Sequence, residues 1–352
     1  MVKTINIKDV LEMKDILLID VRSPIEYEDG TIPNAINIPI LDNEERAIVG
    51  TIYKKECTEK AMSMGVEYAS KKLVSIYENI KDYSKKYEKI IFFCYRGGMR
   101  SKSVCSFVQM MGIKNVLQLT GGYKNYRNYV VNFLEKKIYD YNFIMIHGLT
   151  GVGKTHILEE LHERGKSVLD LEKLANNSGS VFGNIMYNEK LPTQKNFDAG
   201  IFHTLRVLND KNVYVESESK RIGNVIILNN IFEKIISDKH ILVGTNMENR
   251  IANIKKDYIN GIEDNEQKLK NAIEHLRKRL GNNKVNMLIE KLDEKEYDYV
   301  IEYLIKNYYD PLYKYSIDKF REYDCEINYL SMDKAVDEII KFVEDVTSEG
   351  RN

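Results

Sequence analysis

The residues of this chain best suited to chemistry lie in two short loops. The first is Cys94-Tyr95-Arg96-Gly97-Gly98-Met99-Arg100-Ser101, entered directly from the apolar run Ile90-Ile91-Phe92-Phe93. The apolar run, the glycine pair and a helix-like segment from Lys102 to Met111 read as strand, tight loop and helix N-terminus. Backbone N–H groups at such a loop turn inward and form an anion cradle. Here that cradle is Arg96, Gly97, Gly98, Arg100 and Ser101. A sulfur at its mouth, with Arg96 and Arg100 alongside, is favoured as the thiolate, the form that acts as a nucleophile. Such a cysteine suits carrying an extra chalcogen atom or attacking one. Most free cysteines are simply buried, but the flanking arginines and glycines argue against that for Cys94.

The second loop, Gly148-Leu149-Thr150-Gly151-Val152-Gly153-Lys154-Thr155, fits G-x-x-x-x-G-K-[ST]. It has the strand-like Phe143-Ile144-Met145-Ile146 before it and a helical pattern, His156 to Arg164, after it. The backbone around Gly148, Thr150, Gly151 and Gly153 cradles phosphates, Lys154 reaches the outer phosphate, and the Thr155 hydroxyl can hold Mg²⁺. No tightly bound organic cofactor is expected. Further on, Val213 to Ser219 reads as a strand ending in Glu216 and Glu218. P-loop proteins place an acidic Mg²⁺ partner there, usually Asp, so the glutamates weaken the case for ATP hydrolysis. Metal binding, acid–base work and an ordinary solvated strand end all stay open for them.

These loops need elements to position them. Ile16 to Val21 reads as a strand, broken by Ser23-Pro24, with a helical turn at Ile25-Glu26-Tyr27. Asp29 to Pro39 holds a turn and a short strand, and Lys60 to Lys86 has helical spacing. Asn115 to Leu119 is a strand, Thr120-Gly121-Gly122 a turn, and Tyr123 to Lys137 a connecting helix. Beyond the second loop, Ile241-Leu242-Val243 is a strand. From Asn249 the chain is charged and helical, through Glu266–Leu280 and Glu290–Lys306. Cys325, Ile327 and Tyr329 alternate with polar residues as a short strand, and a last helix runs from Ser331, its N-cap, to Val346. Strands alternating with helices predict parallel sheets. The expected organisation is 1–137, 138–250 and a helical region 251–352.

Composition sets the bounds. A length of 352 residues implies more than one domain. The net charge of -1 leaves no global basic field, so a nucleic acid must be held by local patches. Candidates are Lys124, Arg127, Lys136 and Lys137 on the connecting helix, Lys220 and Arg221, and Arg277, Lys278 and Arg279. Each also reads as a solvated face. Four scattered cysteines suit a reducing compartment and no zinc site, and the six histidines form no cluster, so no structural metal is expected. Cys105 and Cys325 read as core, Cys57 as surface. With no signal-peptide pattern and no membrane-length apolar run, the expectation is a cytoplasmic protein without membrane contact.

Asp20-Val21-Arg22, Ile32-Pro33-Asn34-Ala35-Ile36-Asn37-Ile38-Pro39, the Cys94 loop and Gly121-Gly122-Tyr123 together resemble a rhodanese domain. That likeness implies a loop cysteine carrying sulfur or selenium. Joined to a P-loop domain, the whole is similar to the tRNA 2-selenouridine synthase family. Further stretches carry the resemblance: Ile48 to Lys54, Asp170 to Asn176 with Gly179-Ser180-Val181-Phe182-Gly183, Pro192 to Phe197, and Glu216 to Gly223. The cysteine loop matches with Tyr95 in place of the expected Trp. The resemblance implies an α/β protein, a rhodanese-like parallel-sheet domain followed by a P-loop NTPase-like domain with a helical C-terminal region. It implies a transferase acting on the anticodon wobble 2-thiouridine of tRNA. The base sulfur takes a geranyl group from geranyl diphosphate, and selenium from selenophosphate then displaces it. Gly151, Gly153, Lys154 and Thr155 would hold the departing pyrophosphate. Cys94 would handle selenium, as a perselenide or as the group that positions selenophosphate.

Three rival readings remain at this level. Cys94 to Arg100 also fits the C-x5-R loop of cysteine-dependent phosphatases. A sulfurtransferase module could regulate a P-loop kinase or ATPase. A non-catalytic RNA-binding protein would leave both loops without chemistry.

Overall fold

The computed structural model describes residues 2–177, 191–258, 265–312 and 322–349. Gly179-Ser180-Val181-Phe182-Gly183 lies outside the described residues. The chain divides into two compact units: Met1–Leu134 with Thr193–Phe202, and Glu135–Pro192 with His203–Asn352.

In the first unit, β1 (Thr4–Ile5), β2 (Ile16–Asp20), β3 (Ile36–Asn37), β4 (Lys89–Phe93) and β5 (Val116–Leu119) form one parallel sheet. Its order is β1-β5-β4-β2-β3, with Leu18 opposite Ile91 and Ile90 opposite Val116. The central strand β4 is covered on both faces. This is why its sequence is a continuous apolar run, with Ile90 to Phe93 all buried. The helix Met99–Met110 follows the cysteine loop and places Val104, Cys105 and Val108 in the same core as Ile19, Ile76, Ile80 and Phe92. The helical pattern of Lys60 to Lys86 resolves into two helices, Thr58–Ser70 and Leu73–Tyr83.

The helix Gly122–Lys136 buries Tyr123, Tyr126, Val130 and Leu134, a stripe at helical spacing. It is a core helix of this unit more than a spacer. Phe202 packs edge-on against Tyr126, Tyr129 and Phe133. Arg127 is paired with the buried carboxylate of Asp198.

In the second unit, β6 (Asn142–His147), β7 (Ser167–Leu169), β8 (Asn212–Glu216), β11 (Lys239–Thr245) and β12 (Cys325–Tyr329) form a second parallel sheet. Its order is β12-β11-β6-β8-β7. A small antiparallel hairpin, β9 (Arg221–Ile222) and β10 (Val225–Ile226), follows β8. One core forms from Ile144, Ile146, Ile157, Leu161, Val243, Ile327, Ala335 and Ile339. Between β11 and β12 the chain makes a separate helical cluster with Ile273, Leu276, Val285, Leu288, Val300 and Leu304 at its centre. The chain then returns to the sheet as β12, where Val243 lies opposite Ile327. No helix among the described residues is long and apolar enough to cross a membrane.

Candidate active sites

Cys94 sits at the end of β4, in the middle of the first sheet, and is 3% exposed. Its sulfur accepts two hydrogen bonds, from the Gly98 N–H at 3.3 Å and from the Ser101 hydroxyl at 3.3 Å. Gln118, from β5, donates to the Ser101 oxygen at 2.9 Å, and the Ser101 hydroxyl lies 3.3 Å from both the sulfur and the Gly98 carbonyl, the two acceptors open to its one proton.

The carbonyls of this loop are tied away from the sulfur. Tyr123 N–H donates to Cys94 O at 2.9 Å and Lys124 N–H to Tyr95 O at 2.8 Å. The Gln118 amide donates to Gly97 O at 2.8 Å and Gly98 O at 3.3 Å. A planar trans peptide points its C=O and its N–H to opposite sides. The N–H groups of Tyr95, Arg96, Gly98 and Met99 are therefore turned toward the sulfur side, at the start of the helix Met99–Met110. This closeness requires glycine. A Cβ on Gly122, whose φ is +56°, would stand 2.2 Å from Cys94 O and 2.5 Å from Gly97 N.

The two arginines have different surroundings from those the sequence suggests. Arg100 donates to Glu26 at 2.6 and 3.4 Å, and Arg96 is exposed and lies over the Tyr95 ring at 5.8 Å. The bonds to Cys94 come from Gly98 and Ser101. Burial works to raise the Glu26 carboxyl, but its bonds to Arg100 and Ser23 and the charge of Arg46 hold it below its ordinary value. Asp20 and Arg22 form a buried pair at 2.5 Å, with the Arg22 guanidinium 4.2 Å from the centre of the Tyr123 ring. Cys105 is fully buried, and burial pushes its thiol up to about 12, so it has no nucleophilic part. Cys57 is exposed and caps the helix Thr58–Ser70, accepting from Lys60 N–H at 3.4 Å. Cys325 lies against the core of the second unit.

The second loop, in the other unit, is built by the same device. Thr150 O accepts from Arg250 Nε, Gly151 O from Asn253 Nδ2, and Val152 O from the Tyr329 hydroxyl, each at 2.9 Å. With these carbonyls fixed on one side, the N–H groups of Gly151 and Gly153 turn to the other. Arg250 is itself braced by Asp310 at 2.5 and 3.0 Å. Lys154 Nζ donates to Gly148 O at 3.2 Å, which folds the ammonium back over the loop. Thr155 follows in the first turn of the helix Lys154–Glu163.

Beside this loop the sheet ends in carboxylates. Glu216, the last residue of β8, is buried, and its carboxyl shares a hydrogen bond with the Asp170 carboxyl. Its Oε1 accepts from Glu172 N–H at 3.1 Å. Burial first, then Glu172, Asp170 and Glu218, keep Glu216 well above its ordinary value. Burial and Glu172 push Glu218 up to about 8, against the pull of Lys154. Asp170 and Glu172 escaped the sequence reading of this site. Their signal was present, since Asp170-Leu171-Glu172 follows a short apolar run, but only the pairing of β7 with β8 brings them to Glu216. Among the described residues no set of three His, Cys, Asp or Glu side chains is arranged to hold a metal.

The basic patches differ in how much of their charge is engaged. Lys124, Lys220 and Arg221 are exposed. Arg127 faces Asp198. Arg277 donates to both oxygens of Glu274 and to Asn286 at 2.7 Å. Arg279 lies over the Tyr308 ring.

Comparison with known proteins agrees with this layout. Residues 6–129 match the family model described as a rhodanese-like domain. Residues 141–347 match the one described as the tRNA 2-selenouridine synthase AAA domain. A tRNA 2-selenouridine synthase from Bdellovibrio bacteriovorus is 34% identical over 71% of this chain and 66% of its own length. One from Nitrosomonas europaea is 34% identical over 71% of this chain and 65% of its own. One from Marinobacter nauticus is 31% identical over 79% of each. The matched region thus spans just under two thirds of the length of the first two relatives. A solved N-terminal domain of a Clostridium difficile 630 protein, described as ATP/GTP-binding, is 42% identical over 37% of this chain and 99% of its own, with a TM-score of 0.36. The second of these family models alone spans more than half of the polypeptide, and the Marinobacter relative is matched along most of its length. The chain belongs to the tRNA 2-selenouridine synthase family.

Proposed function

We propose that this protein converts the wobble 2-thiouridine of tRNA to 2-selenouridine in two steps. In the first, the base sulfur attacks C1 of geranyl diphosphate. The C–S bond forms, the C–O bond to the diphosphate breaks, and N3 of the base loses its proton. The pyrophosphate takes the electron pair and is received by the amides of the second loop and by Lys154. In the second, selenium of selenophosphate attacks C2 of the base and geranyl thiolate leaves. That step belongs to the Cys94 loop.

One observation carries this reading. Two loops of the same polypeptide have their carbonyls tied off on one side, and each leaves a different head group at the amide side: a sulfur in one, an ammonium in the other. A diphosphate leaving group and a selenium donor need those two different heads. Mg²⁺ fits the second loop in kind. The Thr155 hydroxyl and the Glu216 carboxylate, once it gives up its proton, would hold it, with substrate phosphate oxygens completing the set. When bound it would neutralise charge on the diphosphate. The tRNA phosphates meet the exposed Lys124, Lys220 and Arg221.

The test is nucleoside mass spectrometry of tRNA incubated with the purified protein, geranyl diphosphate and selenophosphate. S-geranyl-2-thiouridine should appear first and 2-selenouridine after it. Absence of both, with tRNA bound, would reject the reading.

A further inference from the structure

We infer that the Cys94 loop is a phosphoryl-transfer site, in which Cys94 attacks phosphorus and so frees selenium from its phosphate. This rests on the proposed function and deepens its second step. In that step selenium reaches C2 of the base still bonded to phosphorus. The product is a phosphoselenoester, and its Se–P bond must break before 2-selenouridine exists.

The loop is built for that group. Cys94 is followed after five residues by Arg100 and then by Ser101. Four amides, from Tyr95, Arg96, Gly98 and Met99, turn toward the sulfur side because Tyr123, Lys124 and Gln118 tie the carbonyls before them. A single selenium atom carried on cysteine offers one acceptor and would leave most of these amides idle. A phosphoryl group offers three oxygens, which the amides and Arg100 together match. Glu26 takes one nitrogen of Arg100 at 2.6 Å and another at 3.4 Å, which fixes the guanidinium plane. A guanidinium carries five N–H donors, so this contact orients it without using it up. The Ser101 hydroxyl, held by Gln118, donates to the sulfur and steadies it as attacking thiolate and again as leaving thiolate.

The balance closes with water alone. Cys94 Sγ attacks phosphorus, the S–P bond forms and the Se–P bond breaks. The electron pair leaves on selenium, delocalised into the ring, so no protonated acid is needed at the leaving group. Water then attacks the phosphocysteine, the S–P bond breaks, and inorganic phosphate departs with the thiolate restored. The residue roles are thus Cys94 as nucleophile, the amides and Arg100 as the phosphoryl cradle, and Ser101 and Gln118 as positioning residues.

The experiment uses the full chain, S-geranyl-2-thiouridine tRNA and selenophosphate labelled in phosphorus. Turnover is stopped in detergent, and Cys94-containing peptides are read by mass spectrometry. Wild type should show transient phosphorus on Cys94. Ser101→Ala should raise its steady-state level at least fivefold, and Ser101→Thr, which keeps the hydroxyl, should return it to the wild-type level. Cys94→Ser should show none, with the phosphoselenoester left on the tRNA. If wild type makes 2-selenouridine with no phosphorus on the protein, and Cys94→Ser releases phosphate at the wild-type rate, the inference is overturned while the proposed function stands. If wild type makes no 2-selenouridine from the geranylated tRNA, the proposed function fails and this role fails with it.

Discussion

The Tyr329 hydroxyl, on the last strand of the second sheet, donates to the carbonyl of Val152, 177 residues earlier in the chain, at 2.9 Å. That bond holds one of the three carbonyls whose orientation turns the loop amides inward. Tyr329→Phe removes a buried hydrogen bond worth about 1 kcal/mol and leaves the ring in its core. Affinity for inorganic pyrophosphate should fall about fivefold, measured by calorimetry. An unchanged affinity would show that the amides hold their direction without this tie.

Lys154→Ala should lose about 3 kcal/mol of transition-state stabilisation, on the order of a hundredfold in rate. Geranylation of tRNA should fail, and selenation starting from 2-thiouridine should fail with it. Selenation starting from pre-geranylated tRNA should persist. Wild-type geranylation by this variant would remove the loop from the first step.

Cys94→Ala should separate the steps the other way. Geranylation should proceed, because the base supplies its own sulfur nucleophile in the first step, but 2-selenouridine should be scarce and the tRNA should stop at the phosphoselenoester. Cys105→Ala, in the core eleven positions on, should make both products and lose only some stability from the cavity. Normal 2-selenouridine yield from Cys94→Ala would end the role given to this sulfur.

Two titrating groups give opposite pH signatures. Burial, His240 and Lys154 hold His147 down to about 3, from an ordinary 6.5. The unfolded chain therefore binds the extra proton below pH 6.5. The His147 contribution is complete above that pH and is lost as pH falls, by up to about 1.4 kcal/mol per unit. Glu218, pushed up to about 8 from 4.5, acts the other way: its contribution is complete below pH 4.5 and is lost as pH rises through 8. Urea unfolding from pH 4.5 to 8 should show His147→Gln flattening the acid side and Glu218→Gln the alkaline side. Slopes equal to wild type in both variants would contradict these assignments.

Binding of tRNA should weaken with salt, with a log–log slope of roughly 0.7–0.9 per contacted phosphate. Charge reversal at Lys220 and Arg221, both exposed, should reduce that slope by about two contacts. Charge reversal at Arg277, which Glu274 and Asn286 already engage, should change it less. A slope that ignores Lys220 and Arg221 would move the tRNA surface elsewhere.

By itself the sequence determined the two loops, the strand before each and the helix after each, and the parallel character of both sheets. The reason is local: an unbroken apolar run such as Ile90–Phe93 is what a strand covered on both faces requires, and glycines mark where the chain must turn tightly behind it. It also placed Cys105 in the core, whereas Cys94, set apart from buried cysteines by its flanking arginines and glycines, is itself buried and packs in that same core. Tertiary structure alone decided what orients each loop. Gln118 reaches Gly97 across 21 positions, Glu26 reaches Arg100 across 74, and Asn253 reaches Gly151 across 102. No period or spacing in the chain encodes those partners, because they depend on which strands lie side by side and in what register. The same holds for the carboxylates. Asp170 and Glu172 meet Glu216 only because β7 pairs with β8, and burial among like charges, absent from any reading of the linear chain, then raises Glu216 and Glu218.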